Sequence, residues 1–528
     1  MARRSSFHKS GKDKMVSAFE HNLGGLIGPG VDRNKTAFID LVGSRPGGEG
    51  RAYDYGEVDD LANSVGRGLV ASGLSRGDAV AILAENSVPY FATYMGILRA
   101  GMVAVPVNYR QPPRTIAHII SDSGSKLIFA DQGRRNQCPS EVPVLSFEGE
   151  GEETWSGFVD PGSFDLVDPE PGETAMLLYT SGSTGMPKGV MLSHEGQLHA
   201  ISRWADERQE IARHRLLIAA PQYHMNALFV SKLLMSFGAS AVLLPRFDVE
   251  TYIRAIECHQ VTWLTGVPTM LALVVREKEL LSMTDRSSVE RVSMGSAPLT
   301  EALFDGVQAW FPEAVVSNLY GTTEHGPSAF GSHPDGLARP KLSLGCVAPG
   351  MELRLVGGVD ENHGVLEVRS VTNMTGYKNL PEKTTEVMVD GWYHTKDVMR
   401  RDADGFYFII GREDDMFVCN GENIFPGEVE RLLESHSGID QASVVPIPDP
   451  VRGQAPVAFV VRSAEIRSHG LTASRLDEAG VQEYALANGP AYQFPRHVFF
   501  LDTLPLAGTN KIDRSVLIED ARRRIDNG

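Results

Sequence analysis

The sequence predicts an α/β protein. A large N-terminal domain of parallel-rich sheets layered with helices, plus a β-rich subdomain, precedes a small mixed α+β C-terminal domain. Three observations predict it. At 528 residues the chain exceeds what one compact core holds. From about residue 75, short apolar strands alternate with amphipathic helices, the pattern of buried parallel sheet covered by helices. After about residue 340 the texture changes to strands and turns.

Taken in order, 79-AVAIL-83 reads as a strand, 88-VPYFATYMGILRA-100 as a helix and 102-MVAVPV-107 as a strand. A helix near 114–124 and a strand at 126-KLIFA-130 follow. The alternation resumes in 215-RLLIAA-220, 240-SAVLLP-245, 261-VTWLTG-266, 291-RVSMGS-296 and 315-VVSNLYG-321. The strands 352-ELRLV-356, 365-VLEVRS-370 and 406-FYFII-410 lie beside the turn 402-DADG-405, and a helix is expected near 427–435. The boundary is placed at 411–415: residues 1–411 form the large domain, 412–414 a hinge and 415–528 the small domain.

Lys and Arg number 50 against 67 Asp and Glu, a net charge of -17, which argues against nucleic acid or an anionic membrane as partner. Apolar residues make up 42% of the chain, an ordinary share for a soluble globular protein, and no apolar run approaches the ~18 residues of a membrane span. The basic start, MARRSSFHKSGKDK, leads into no apolar stretch and reads as a solvated tail. Cys138, Cys258, Cys346 and Cys419 are scattered without metal-ligand spacing, as expected of reduced thiols in a cytoplasmic protein.

The strongest motif is 177-LLYTSGSTGMPKGVMLSH-194. An apolar strand runs into Thr180, Ser181, Gly182, Ser183, Thr184 and Gly185, then Met186-Pro187-Lys188, then a second apolar segment. Glycines admit a polyphosphate close to the backbone, and consecutive amides with hydroxyls form an anion-binding concavity. Lys188 adds a cation for a leaving pyrophosphate. A Walker loop needs Gly-Lys-Ser/Thr opening a helix, whereas Pro187 precedes Lys188 and an apolar stretch follows.

With that loop the chain resembles the adenylate-forming superfamily: acyl-CoA synthetases, peptide-synthetase adenylation domains and luciferases. The resemblance runs from about residue 50, with 221-PQYHMN-226, 295-GSAPL-299, 318-NLYGTTE-324, 392-WYHTKD-397, 411-GREDD-415, 419-CNGENIFPGEVE-430 and 505-PLAGTNKIDR-514 in the family's order. It implies ATP and Mg2+ as cofactors and coenzyme A as co-substrate.

The resemblance also implies roles. Glu324 matches the residue that holds Mg2+ with the phosphates, and Thr323 the hydroxyl at the α-phosphate. Tyr320 matches the aromatic on adenine, with Asn318 nearby; Ser296, Ala297 and Pro298 fall in the nucleotide-binding stretch. Asp397 is similar to the acceptor of both ribose hydroxyls, which suits a group that only accepts, and Arg412 to a second ribose contact. The family usually has Thr-Gly-Asp where this chain has Thr395-Lys396-Asp397. His224 matches the group guarding the substrate carboxylate. Lys511 looks like the mobile lysine that bridges carboxylate and α-phosphate. Asp414 corresponds to the hinge, and Gly421, with Glu422, to a loop lining the pantetheine tunnel. Val418 stands where the family often has lysine.

The acid pocket is expected to draw on Tyr223, His224, Met225, Asn226 and Leu228, on Thr265 and Gly266, and on Gly295 and Ser296. Gly321, Thr322, His325 and Gly326 complete it. Gly326 either leaves room under the acyl group or serves a φ > 0 turn before Pro327. This small, moderately apolar lining suits an aryl or short-to-medium acyl acid. Bringing a carboxylate to the α-phosphate joins two anions, so the site must supply positive charge and a metal. The expected activity is acid:CoA ligation through an acyl-AMP, with Thr184, His224, Glu324 and Lys511 as catalytic groups, in a monomer or homodimer. A stand-alone adenylation enzyme loading a carrier protein would share every motif, although no carrier segment follows residue 528. A non-catalytic relative is disfavoured by Lys188, Glu324 and Lys511 together.

Overall fold

The computed structural model describes residues 21–28, 30–180, 186–297, 299–463, 476–506 and 512–526. The basic tail and the residues Ser181–Gly185, Pro298 and Lys511 lie outside them. Two seven-stranded sheets build the large domain. The first runs, edge to edge, Val315–Leu319, Arg291–Gly295, Trp263–Gly266, Arg215–Ile218, Ser240–Leu243, Thr36–Asp40 and Arg51–Asp54. Only the last pair is antiparallel. The second begins with the strands Gly376–Tyr377, Lys188–Ser193 and Thr174–Thr180, paired antiparallel, and continues in parallel through Val103–Pro106, Ala79–Leu83, Ser125–Ala130 and Val144–Ser146.

Helices pack between and outside these sheets. Their starts are set by side chains that satisfy otherwise orphaned amides: Asp54 and Glu57 form a capping box on Tyr55–Ala71, and Ser87 caps Val88–Arg99. The helix Val88–Arg99 is buried almost all round, as its sequence, apolar on every face, requires. The expected strands and helices all occur, with ends within a few residues. Sequence reading passed over the strand Thr36–Asp40, the edge strand Arg51–Asp54 and the long helix Tyr55–Ala71.

The β-rich subdomain is a five-stranded antiparallel sheet of Glu352–Gly357, His363–Arg369, Trp392–Arg401 and Met388–Val389, with Tyr407–Arg412 on the far side of Trp392–Arg401. A further five-stranded sheet uses only residues between Phe417 and Leu501 and carries the helices Pro426–Glu434, Glu478–Asn488 and Arg514–Asp526. No helix among the described residues is long and apolar enough to cross a membrane.

Candidate active site

Four adjacent parallel strands of the first sheet end on the same side, and each ends in an expected site segment. Arg215–Ile218 leads to 221–226, Trp263–Gly266 ends on Thr265 and Gly266, Arg291–Gly295 on Gly295 and Ser296, and Val315–Leu319 on Tyr320. Carboxyl ends of parallel strands are where open α/β sheets bind ligands, because the diverging loops leave a crevice there. Close packing explains the glycines. A Cβ on Gly321 would lie 2.4 Å from the Pro327 carbonyl oxygen, and one on Gly295 would lie 2.8 Å from that of Leu319.

One pole of the site gathers charge. Lys188 opens its strand opposite Thr180 and holds its ammonium 4.1 Å from the ring centroid of Tyr377. The Tyr377 hydroxyl donates to Glu324 Oε1 at 3.1 Å. Burial, with help from Lys396, holds the Lys188 ammonium below its ordinary value, against the opposing pull of Glu324. A lysine beside a carboxylate, at the mouth of a Gly/Ser/Thr loop, suits a polyphosphate. The hydroxyl of Thr180 is buried without a partner among the described residues at the same end. Sequence reading missed Tyr377. It reaches Glu324 only because Gly376–Tyr377 forms a short edge strand on Lys188–Ser193, a long-range pairing that no local motif marks.

The other pole centres on one buried carboxylate. Asp397 is buried; it accepts from the Tyr320 hydroxyl and, at 3.3 Å, from Arg412 Nη1 across the strand pair. Tyr320 is buried, stacks on His325 at 5.4 Å, and has its phenol pushed up by burial and by Asp397. The Asn318 amide donates to Leu342 O at 3.0 Å.

Lys396 occupies the left-handed region at φ 65°. The family's glycine is therefore explained by backbone geometry, and here a lysine adopts the same turn at a steric cost. Its ammonium lies 3.7 Å from Asp414 Oδ2, while Arg412 grips Asp414 at 2.8 and 3.1 Å. Burial pushes the Asp414 carboxyl up, but Arg412 and Lys396 outweigh it and hold it below its ordinary value. Lys396→Gly and Lys396→Ala both lose the ion pair, and only glycine relieves the backbone. The glycine variant should be the more stable of the two by about 1 kcal/mol in denaturant melts; equal stability would mean the turn is unstrained.

Among the pocket candidates, Tyr223 and His224 have ring centroids 4.6 Å apart, with His224 at the N-cap of the helix Met225–Phe237. Asn226 reaches Ser296 Oγ at 3.4 Å, and Ser296 has φ 69°. The Thr265 hydroxyl donates to Leu217 O at 2.7 Å, and Leu228 is fully buried. Thr322 accepts from the His325 amide, and its carbonyl from that of Gly326, in a tight turn.

Gly326 has φ 97°, and a Cβ there would meet Thr372 at 3.2 Å. The glycine thus serves the turn. Gly326→Leu should cost about 1–3 kcal/mol through backbone strain. A normal melting curve with narrowed acid selectivity would instead favour a purely volumetric role.

Farther along the chain, Gly421 (φ 86°) and Asn420 (φ 54°) form a two-residue hairpin turn with both residues at positive φ, the geometry Asn-Gly favours. Glu422 is exposed at its base, and so is Val418.

The AMP-binding enzyme family matches residues 30–378, and the AMP-binding enzyme C-terminal domain matches residues 428–511. The chain is 31% identical to a feruloyl-CoA synthase of Amycolatopsis over 489 residues, covering 90% of this chain and 94% of that one. It is 29% identical to the fatty acid–acyl-carrier-protein ligase ScoC of Streptomyces coeruleorubidus, covering 90% and 94% of the two chains. The crystal structure of ATP-bound MatB from Rhodopseudomonas palustris superposes with a TM-score of 0.84 at 27% identity, covering 95% of this chain and 99% of that chain. With both family domains present in order and relatives aligned over nine-tenths of its length, the chain belongs to the AMP-binding enzyme family, in its adenylate-forming acyl-CoA synthetase branch.

Proposed function

We propose that this enzyme joins a carboxylic acid to CoA in two half-reactions at one site: acid and ATP give acyl-AMP and pyrophosphate, then the CoA thiol displaces AMP. One observation carries the reading. The segment 320–324 links one group, Tyr320 with Asp397 and Arg412, to another, Glu324 with Tyr377 and Lys188. One short segment thus joins groups suited to a nucleoside with groups suited to its phosphates.

Asp397 and Arg412 hold the ribose, and Tyr320 packs near the base. Lys188 and the 180–185 loop neutralise the departing pyrophosphate. His224 screens the acid's carboxylate from water, and Lys511 bridges it to the α-phosphate. Among the described residues no three His, Cys, Asp or Glu side chains gather as a metal cage. Glu324, with one oxygen turned to Tyr377, fits an ion that takes one carboxylate and draws its other ligands from phosphate and water. Mg2+ bound there would supply charge neutralisation on the phosphates.

The hinge is assigned to 412–414, between a large domain of 1–411 and a small one of 415–528. Asp414 is tied to Arg412 and Lys396, whereas Asp415 pairs at 2.8 Å with Arg514 of the C-terminal helix. Neighbouring carboxylates held by opposite sides support a pivot there, and rotation would exchange Lys511 for the 419–423 turn between half-reactions.

Similarity to an acyl-carrier-protein ligase keeps a carrier thiol as the second reading. An AMP-release assay separates them. Turnover that requires CoA supports the first reading; turnover that ignores CoA and needs a phosphopantetheinylated carrier supports the second.

A further inference from the structure

The helix His194–Ser202 starts directly after the phosphate-loop strand and ends on Arg203. The Arg203 guanidinium donates through Nη2 to the carbonyl of Ser328. Ser328 lies on the return arm of the turn carrying Gly321, Glu324 and Gly326, and that arm is pressed against Gly321. Arg203 therefore closes the underside of the loop to which the acid pocket is assigned.

Its charge meets no opposite charge among the described residues. The residue is half-buried, but Nε and Nη1 are themselves buried and meet no acceptor among the described residues. No carboxylate pairs with the guanidinium among the described residues, and burial alone pushes it down to about 10. His325, on the same loop, is fully buried, and neither ring nitrogen is bonded among the described residues. Burial, then Arg203, push its imidazole down to about 3, so it stays neutral, and an imidazole in either state supplies no negative charge. Burying an unpaired cation opposes folding strongly, and an arginine fork is shaped for a planar or tetrahedral oxyanion. A purely structural role at this position would be served better by an apolar side chain.

We propose that Arg203 forms the far end of the acid pocket, and that the acid activated here carries a second anionic oxygen group, a carboxylate or a sulfonate, remote from the carboxylate that is adenylated. The proposal rests on the acid-activating function given above and names its substrate class.

The test uses the full-length enzyme with matched acids: benzoate, 4-carbamoylbenzoate, terephthalate and 4-sulfobenzoate, then hexanoate against adipate. Pyrophosphate release gives kcat/KM for each, and thermal melting without ATP gives binding. In the parent, at least one dianion should exceed its neutral counterpart by roughly 30-fold, the span of a charge-assisted pair. Terephthalate against 4-sulfobenzoate tells the two oxyanions apart. Arg203→Met should bring that ratio close to one, Arg203→Lys should keep part of it, and Arg203→Met should melt no lower than the parent.

A parent that prefers neutral acids overturns the proposal. So does an Arg203→Met variant that melts several degrees lower and loses activity on all acids alike, which is the behaviour of a structural arginine. If no acid releases pyrophosphate, the functional reading fails separately. The binding arm still decides: a dianion that raises the parent's melting temperature but not that of Arg203→Met upholds the site, and no shift in the parent overturns it.

Discussion

Lys511→Ala should lower acyl-adenylate formation a few hundredfold while thioester formation from pre-made acyl-AMP and CoA stays near the parent rate. Attack of a carboxylate on the α-phosphate brings anions together, and one preorganised donor at such a centre is worth on the order of 3 kcal/mol. The second half-reaction releases that charge with AMP, so it has no need of the same cation. The two rates are measured separately, as acid-dependent ATP–pyrophosphate exchange and as consumption of synthetic acyl-AMP. If both fall together, Lys511 supports the fold of its segment and takes no part in the chemistry.

Lys232→Met should make the protein more stable. Lys232 is fully buried in the helix Met225–Phe237, and its ammonium donates to Gln197 Oε1 at 2.6 Å. Burial pushes it down to about 7 from an ordinary 10.5. The folded pKa lies below the unfolded one, so between pH 10.5 and 7 the unfolded chain binds a proton that the fold refuses. Stability from this group therefore falls as pH drops through that window and levels off below 7. At about 1.4 kcal/mol per unit, the burden at neutral pH is on the order of 4 kcal/mol. Methionine leaves Gln197 without its partner, a loss of about 1–3 kcal/mol, so the net gain should be about 1–3 kcal/mol at pH 7. Denaturant melts of both proteins at pH 7 and pH 10 test this. The variant's advantage should shrink or reverse at pH 10; a constant difference would mean that Lys232 titrates normally.

Much of this was legible in the sequence because the relevant signals are local. The strands ending at Gly266, Gly295 and Leu319 are short apolar runs, and each delivers its site residues within a few positions of its end. The phosphate-loop segment likewise announces itself by composition. What stayed hidden depends on distant partners. Tyr377 meets Glu324 through an edge-strand pairing, and Arg203 meets Ser328 across more than a hundred residues. Two departures from the family pattern proved informative in different ways. Lys396 shows by its φ of 65° that the backbone turn persists without glycine, and its side chain finds Asp414. Val418 simply sits exposed on the hairpin that carries Gly421. For Gly326 two roles were open from sequence, and a φ of 97° favours the turn.

An acyl-adenylate forms only if the acid's own carboxylate attacks the α-phosphate. The most direct measurement supplies the acid with both carboxylate oxygens labelled as 18O, together with ATP, Mg2+ and CoA, and follows the label by mass spectrometry. Cleavage of acyl-AMP at the acyl–oxygen bond by the thiol leaves one carboxylate oxygen on phosphorus. AMP should therefore carry one 18O, the thioester the other, and pyrophosphate none. Unlabelled AMP, or label in inorganic phosphate with ADP as co-product, would contradict an acyl-adenylate.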